Sequence, residues 1–173
     1  MIIRDATQAD LPGILAIYND VIATSTAVYA LEPVTLDERA QWLAARQAQG
    51  FPVLAAIEGE AVLGFASYGE WRGAWAGYRY TVEHSVHVGA SHRGTGIGRQ
   101  LMLRLIDAAQ AAGKHVMIGA IDADNAASIR FHESLGFKSV AHFHQVGHKF
   151  DRWLNLVFMQ RFIEPPQERP QTP

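Results

Sequence analysis

Hydrophobic residues recur along the chain at two spacings, one typical of helices and one typical of strands. Thr7 with Asp10, and Thr35 with Glu38, each resemble a capping box just ahead of apolar positions at helical spacing, so a helix is predicted after both. Shorter apolar runs predict strands, and Gly59 between two of them predicts a hairpin. The predicted strands cover residues 2–4, 53–57, 61–68, 80–88, 115–121, 139–146 and 153–162, and the predicted helices cover residues 11–22, 35–50, 96–112 and 125–135.

This order, β-α-α-β-β-β-α-β-α-β-β, interleaves helices with strands. It predicts an α/β or α+β fold in which helices cover both faces of a mixed sheet. A length of 173 residues favours a single domain. We expect that domain to span residues 1–163, because residues 164–173 hold four of the seven prolines and no large apolar side chain. A tail of that composition is expected to be disordered.

Composition excludes several classes of protein. The chain contains no cysteine, which excludes a disulfide framework, a thiolate zinc site and a cysteine nucleophile. A net charge of −2 argues against a broadly basic nucleic-acid-binding protein. No apolar run approaches the roughly 20 residues of a membrane helix, and the N-terminus lacks the pattern of a signal peptide. We therefore expect a cytoplasmic protein with neither a nucleic-acid nor a membrane partner.

The eight histidines raise the question of a metal site. His84 and His87 are three residues apart in a predicted strand, so their side chains are expected on opposite faces. His142 and His144 share a face, but no Asp or Glu accompanies them at the spacing of metal ligands. We expect no bound metal.

A glycine-rich turn joins the strand that ends at Val88 to the following helix. Alternate glycines allow the backbone to approach a ligand closely, and the N–H groups at a helix start bind anions. Arg93 and Arg99 flank the turn and can add charge-assisted hydrogen bonds. Neither the Walker pattern nor the dinucleotide pattern fits, because the lysine of the first and the glycine spacing of the second are missing. The turn predicts a phosphate or pyrophosphate site, with a purely structural turn as the alternative.

Two motifs then carry a family resemblance. The pattern Arg93-x-x-Gly96-x-Gly98 resembles the acyl-CoA pyrophosphate loop of the GNAT superfamily of N-acetyltransferases. The segment from Asn125 to Phe137 is similar to the second signature of that family, in which an Asn at the start of a short helix meets the cofactor. The resemblance covers nearly the whole chain and implies a GNAT-like acyl-CoA N-acyltransferase fold with acetyl-CoA as the acetyl donor. The residues that it implies for cofactor binding are Val86, His87, Val88, Arg93, Gly94, Thr95, Gly96, Ile97, Gly98, Arg99, Asn125 and Ser128.

A narrower resemblance is to the subfamily that acetylates phosphinothricin and methionine sulfoximine or sulfone. It implies transfer of acetyl to the α-amino group of a small amino acid analogue, and a homodimer in which the late strands pair across the interface. The segments that carry it are Tyr18-Asn19, residues 24–27, Trp71-Arg72, Tyr78, residues 81–88 and residues 147–153. Acetylation of a protein N-terminus or lysine, and a non-catalytic acyl-CoA-binding module, are the competing hypotheses.

Glu83 is the predicted general base. It lies in a strand of mostly apolar residues, where burial raises the pKa of a carboxyl towards the range useful for deprotonating an amine. The resemblance assigns the base role to a Glu in this Thr-Val-Glu context. The alternative is a Glu that faces solvent on an edge strand. Because the chain has no cysteine, we expect direct attack of the amine in a ternary complex.

His132 occupies the position where many family members carry a tyrosine that protonates the leaving thiolate. An imidazolium could serve as that acid, since its pKa lies near neutrality. Alternatively the thiolate leaves without an acid, because a thiol pKa is only about 8.5, and His132 is then a hydrogen-bonded side chain beside the cofactor. The resemblance also implies that the backbone N–H of Val88 or a neighbour binds the thioester carbonyl.

Substrate binding is predicted from the loop around residues 71–78. Arg72 is a reasonable partner for a substrate carboxylate. Trp75 and Tyr78 are expected to pack against the apolar side chain of the substrate, with Tyr29 contributing from the early loop. The predicted substrate site is completed by Glu83, His84 and Ser85. The alternative is a surface loop anchored by its aromatic residues.

Overall fold

The computed structural model describes residues 1–163, and its elements follow the predicted order. The predicted tail, residues 164–173, lies outside the described residues. The strands are β1 (Ile2–Asp5), β2 (Val53–Glu58), β3 (Ala61–Glu70), β4 (Thr81–Val88), β5 (Val116–Asp122), β6 (Lys138–Lys149) and β7 (Arg152–Phe162), and the helices are α1 (Leu11–Thr24), α2 (Leu36–Ala48), α3 (Ile97–Ala111) and α4 (Ala126–Glu133). Short 3-10 turns precede α1, β4 and α3.

Both predicted helix starts are anchored by side chains. The Thr35 hydroxyl accepts from the Glu38 N–H, and the Glu38 carboxylate accepts from the Thr35 N–H at 2.7 Å, so this capping box is complete. At the earlier start, the Asp10 carboxylate accepts from the Thr7 N–H at 2.7 Å and also pairs with Arg4. The hydrogen bond from Arg4 lowers the pKa of Asp10 and thereby keeps it charged.

The seven strands form one mixed sheet in the order β1-β2-β3-β4-β5-β7-β6. All neighbouring strands are antiparallel except β4 and β5, which run parallel. These two strands pair only from Thr81 with Val116 to Glu83 with Ile118. Beyond Glu83 they separate, and the sheet opens into a cleft towards Val88. Backbone groups along this cleft have no partner strand on that side, so they are available to a ligand.

The helices cover both faces of the sheet, as predicted. On one face α3 packs through Leu101 and Leu105 into the larger core. On the other face α1 and α2 pack through Ile14 and Leu43 against Phe65. Alternate residues of β4 therefore point to different layers.

The two histidines of β4 confirm the predicted alternation. His84 stacks on His132 of α4, on the α3 side of the sheet, with ring centroids 5.1 Å apart. His87 contacts Tyr18 of α1 on the other side, at 5.7 Å. Within residues 1–163, the helices are too short or too polar to cross a membrane.

Candidate active site

A cavity of about 780 Å³ occupies the cleft where β4 and β5 separate. Its volume lies within the range of about 300–1,000 Å³ typical of small-molecule sites. Of the residues predicted to bind the cofactor or to catalyse, those that line it are Glu83, Val86, His87, Val88, Arg93, Gly94, Gly96, Gly98, Arg99, Asn125, Ser128 and His132. The predicted substrate residues His84 and Ser85 line it as well.

The glycine-rich turn forms one end of this cavity. Gly94 and Gly96 have φ of 79° and 88°, a left-handed conformation that glycine adopts without a steric penalty. Gly96 caps the N-terminus of α3, so the first N–H groups of that helix have no acceptor within it. The other two predicted residues of the turn point away, since the Thr95 hydroxyl donates to the His92 carbonyl and Ile97 is buried in the core. These two can contribute to an anion site only through their backbone.

Arg93 and Arg99 stand on the walls beside the turn. The Arg93 Nε donates to the Val88 carbonyl at 3.3 Å, and its guanidinium lies 3.7 Å from the Asp20 carboxylate. Arg99 donates to the carbonyl and the hydroxyl of Ser134, both at 3.4 Å. All four contacts are long and exposed, so each guanidinium is able to exchange its contacts for a phosphate.

The second motif forms the opposite wall. The Asn125 side chain accepts from the Ser128 N–H at 3.0 Å and thereby caps α4. The Ser128 carbonyl in turn accepts a hydrogen bond from the His132 Nδ1–H at 2.7 Å. A carbonyl only accepts, so the proton of the neutral ring is on Nδ1 and Nε2 carries a lone pair.

Glu83 lies in a central strand, between β3 and β5. The alternative in which it faces solvent from an edge strand is therefore wrong. Burial raises the pKa of Glu83, as predicted, while the positive charge of Arg46 lowers it. The carboxyl faces the same cavity as the glycine-rich turn and is partly buried.

The structure adds two arginines that the sequence interpretation missed. Arg39 and Arg46, both on α2, line the cavity together with Trp42. The Arg39 guanidinium lies 3.9 Å from the Tyr18 ring centroid and 4.6 Å from the Trp42 ring. A signal was present, because both arginines share a helix face with the buried Leu43, where apolar residues are expected.

Four predicted substrate residues do not line the cavity. The Arg72 guanidinium packs over the rings of Trp75 and Tyr78, at 5.0 and 5.6 Å, within an exposed loop that does not line the cavity. The ring of Tyr29 packs against Gly147, and its hydroxyl donates to the Asn155 carbonyl at 3.1 Å. The roles of Arg72, Trp75, Tyr78 and Tyr29 in substrate binding stay predictions.

The loop that carries Tyr29 closes one side of the cavity. Lys149 of β6 donates to the carbonyls of Ser25 and Val28, at 2.9 and 2.7 Å. These bonds tie the segment between α1 and α2 to the far half of the sheet. They place Ala27 and Val28 on the cavity wall.

Unpaired polar atoms converge on the cavity. Within residues 1–163, the buried side-chain nitrogen and oxygen atoms without a hydrogen-bond partner belong to Arg39, Arg46, His84 and His132. All four side chains line the cavity. Buried polar groups are normally paired, so this concentration marks a ligand site. No cluster of three or more metal-ligating side chains occurs in the described part of the chain.

Known proteins resemble this chain in sequence and structure. The acetyltransferase (GNAT) family model matches residues 14–137. An L-methionine sulfoximine/L-methionine sulfone acetyltransferase of Pseudomonas paraeruginosa is 52% identical over 170 residues, which are 97% of this chain and 98% of the relative. A phosphinothricin N-acetyltransferase of Streptomyces viridochromogenes is 34% identical over 172 residues, which are 99% and 93%. An acetyltransferase structure from Salmonella typhimurium, solved with its cofactor acetyl-CoA, superposes with a TM-score of 0.92 at 47% identity and covers 99% of both chains.

Proposed function

Because the chain belongs to the GNAT acetyltransferase family, as its motifs predicted, we propose that it transfers acetyl from acetyl-CoA to the α-amino group of a small amino acid analogue. Methionine sulfoximine, methionine sulfone and phosphinothricin are the proposed substrate class, supported by the names of the relatives. The observation that carries the proposal is the cleft beyond Glu83. It joins a carboxyl of raised pKa to a turn with exposed helix N–H groups in one cavity.

The acetyl donor fits the half of the cavity formed by α3, α4 and the glycine-rich turn. Pyrophosphate oxygens would accept from the first N–H groups of α3, reinforced by Arg93 and Arg99. The unpaired edge of β4 near Val88 supplies backbone N–H groups for the thioester carbonyl. Asn125 and Ser128 stand on the α4 wall of this half.

Glu83 is the general base of the proposed reaction. The carboxylate takes a proton from the substrate ammonium, directly or through a water, and the amine then attacks the thioester carbonyl. The C–N bond forms as the C–S bond breaks, the nitrogen gives its second proton to the departing thiolate or to water, and CoA leaves. A thiolate is a good leaving group at neutral pH, since the thiol pKa is about 8.5. No acetyl-enzyme is formed, in keeping with a chain that has no cysteine.

His132 fits the sequence-predicted acid role under one condition. In the neutral ring the proton is on Nδ1 and is held by the Ser128 carbonyl. Burial also lowers the pKa of His132. The imidazole must therefore first accept a proton at Nε2 before it can donate one to the thiolate.

We further propose a homodimer formed through β6 and β7. The edge strand β6 exposes Val140, Phe143 and Val146, and β7 exposes Trp153. An edge strand with exposed apolar side chains is a surface on which another chain can pair. Size-exclusion chromatography with light scattering should give twice the chain mass for the parent protein. The double variant Val140→Lys with Val146→Lys should give the mass of a monomer. A monomeric parent protein overturns this part of the proposal.

We also place the protein in the cytoplasm. The absence of cysteine and the use of acetyl-CoA support this assignment. Fractionation of cells that express the natural gene tests it.

The experiment that tests the function is release of the CoA thiol across a panel of amines. The panel holds L-methionine sulfone, L-methionine sulfoximine, phosphinothricin, unmodified amino acids, polyamines and peptides. We expect turnover with the first three, and turnover with peptides or polyamines only contradicts the proposal. Glu83→Gln should lower kcat by about 100-fold or more with unchanged affinity for CoA, whereas Glu60→Gln, an exposed control in the hairpin, should change neither. Unchanged turnover in Glu83→Gln excludes Glu83 as the base.

A further inference from the structure

Arg46 lies beside the proposed base, at a position set by a glycine. Gly69 of β3 is paired directly with Glu83 of β4. Directly paired residues on neighbouring strands project to the same face of the sheet. A side chain at Gly69 would collide with the Arg46 guanidinium, so this guanidinium occupies the space beside Glu83 where a Cβ would otherwise stand. Both Arg46 and Glu83 line the cavity.

The guanidinium of Arg46 has no committed partner. Its Nε is buried without a hydrogen bond, and none of the ion pairs within residues 1–163 involves Arg46. Glu70 and Glu83 act on it only as nearby negative charges. Leaving a partly buried guanidinium unpaired is costly, so an anion that enters the cavity on this side gains a strong partner.

The geometry of an α-amino acid connects these two side chains. The amino nitrogen and the carboxyl carbon are both bonded to Cα and lie only about 2.5 Å apart. An α-amino acid whose amine lies within hydrogen-bonding reach of Glu83 therefore places its own carboxylate on the cavity wall beside Glu83. Arg46 is the cation on that wall that is unpaired and adjacent to Glu83. Its planar guanidinium can bind a carboxylate through two parallel hydrogen bonds.

We propose that Arg46 binds the α-carboxylate of the amino acid substrate, in the space that Gly69 leaves beside Glu83. This assignment rests on the proposed function. It makes an α-amino carboxylate, rather than an amine in general, the recognised group. It gives that role to α2 rather than to the exposed loop that contains Arg72.

The test compares two substrates that differ only in the carboxylate. L-Methionine sulfone carries it, and 3-(methylsulfonyl)propylamine does not. Arg46→Gln should lower kcat/KM for the amino acid by about 10- to 100-fold, the usual effect of losing hydrogen bonds to a charged group. The same variant should change kcat/KM for the amine by less than about threefold. Arg46→Lys should recover part of the preference, because it keeps the charge but not the two-pronged geometry. Arg79→Gln, at an exposed position outside the cavity lining, is the control and should leave the ratio of the two kcat/KM values unchanged. Arg72→Gln, which removes the carboxylate partner predicted from the sequence, should leave that ratio unchanged as well.

The ratio of kcat/KM for the amino acid to kcat/KM for the amine separates the carboxylate contact from other effects of Arg46. Removing its charge also raises the pKa of Glu83, but that change affects both substrates alike. An equal loss with both substrates in Arg46→Gln overturns the proposal, as does loss of the preference in Arg72→Gln alone. Gly69→Ala gives a second test, since it displaces the guanidinium while the arginine is retained, and it should reduce the same ratio. Affinity for CoA, measured for every variant, confirms that the fold is kept.

The outcome also separates this inference from the function on which it rests. If the parent enzyme acetylates the amino acid and Arg46→Gln keeps the same preference, only the assignment of Arg46 fails. If the parent enzyme acetylates neither compound but acetylates peptides, the proposed function fails and the assignment fails with it.

Discussion

His132 donates its Nδ1 proton to the backbone carbonyl of Ser128, one turn earlier in α4, at 2.7 Å. Its other nitrogen, Nε2, is buried without a partner, and the ring stacks on His84 at 5.1 Å. A positive charge on either ring is unfavourable, since burial lowers the pKa of both. The resting state of the site therefore contains two neutral histidines.

The neutral state of His132 limits its contribution to proton transfer. His132→Asn should lower kcat by less than about tenfold, below the usual range for a general acid, because the thiolate can leave without one. In the pH profile of kcat, the fall at high pH, its basic limb, should be the same in the variant and the parent. A fall of about 100-fold or more with loss of that limb would instead establish His132 as the acid.

The fall of kcat at low pH, the acid limb of its pH profile, should reflect the protonation of Glu83. Burial raises the pKa of this carboxyl above its ordinary value of 4.5. Because the base must be ionised, kcat should fall as the pH is lowered through that raised pKa. Arg46→Gln should move the limb to higher pH, since it removes the charge that favours the carboxylate. A limb that stays in place in Arg46→Gln contradicts this electrostatic coupling.

The glycine-rich turn offers a matched comparison of two glycines. Gly96 at the start of α3 and Gly113 after its end have φ of 88° and 65°, and a Cβ at either position meets nothing within 4 Å. Alanine should therefore destabilise the protein similarly at both positions, by about 1 kcal/mol. Only Gly96→Ala should also raise the KM for acetyl-CoA, because it stiffens and crowds the proposed anion site. Equal KM values in the two variants would argue against that site.

Gly119 of β5 provides the space for the buried His84 ring. A Cβ at this position would lie 2.7 Å from the His84 Nε2. Gly119→Ala should lower the free energy of unfolding by about 1–3 kcal/mol, as overpacking of a core does. Adding His84→Ala should make the Gly119→Ala step less costly, because the colliding ring is gone. Urea unfolding of the four proteins in this cycle measures the coupling, and strict additivity contradicts the contact.

Stability should decrease in acid because of the two histidines of β4. Burial lowers the pKa of His84 to about 3 and that of His87 to about 4, from an ordinary value of 6.5. As the pH falls below 6.5, these two histidines take up protons in the unfolded chain but stay neutral in the folded chain. The free energy of unfolding should then decrease by up to about 1.4 kcal/mol per pH unit for each histidine.

Replacement of one histidine tests this linkage. Urea unfolding of the parent and of His87→Gln should show a shallower loss of stability in the variant between pH 6.5 and about 4. His115→Gln, at an exposed position just before β5, should follow the parent. Equal slopes in all three proteins exclude His87 as a source of acid sensitivity.

The sequence by itself determined the order of the elements and the glycine-rich turn that we propose binds the cofactor. Capping residues and apolar spacing place α2, and left-handed glycines place the start of α3, because these signals act within a few residues of one another. The alternation of His84 and His87 also follows from strand geometry alone. Each of these features depends on local backbone preference, so tertiary contacts leave it unchanged.

Only the tertiary structure decided which side chains meet beside Glu83, where we propose that the substrate binds. Arg46 and Gly69 are distant in sequence and belong to different elements, and their contact depends on how α2 packs across β3 and β4. Arg72, which its charge made the predicted carboxylate partner, packs on the aromatic rings of its own loop. Charge and hydrogen-bonding capacity are visible in a sequence. The distance and burial that turn them into a binding site are set by the packing of helices on a sheet that opens beyond Glu83.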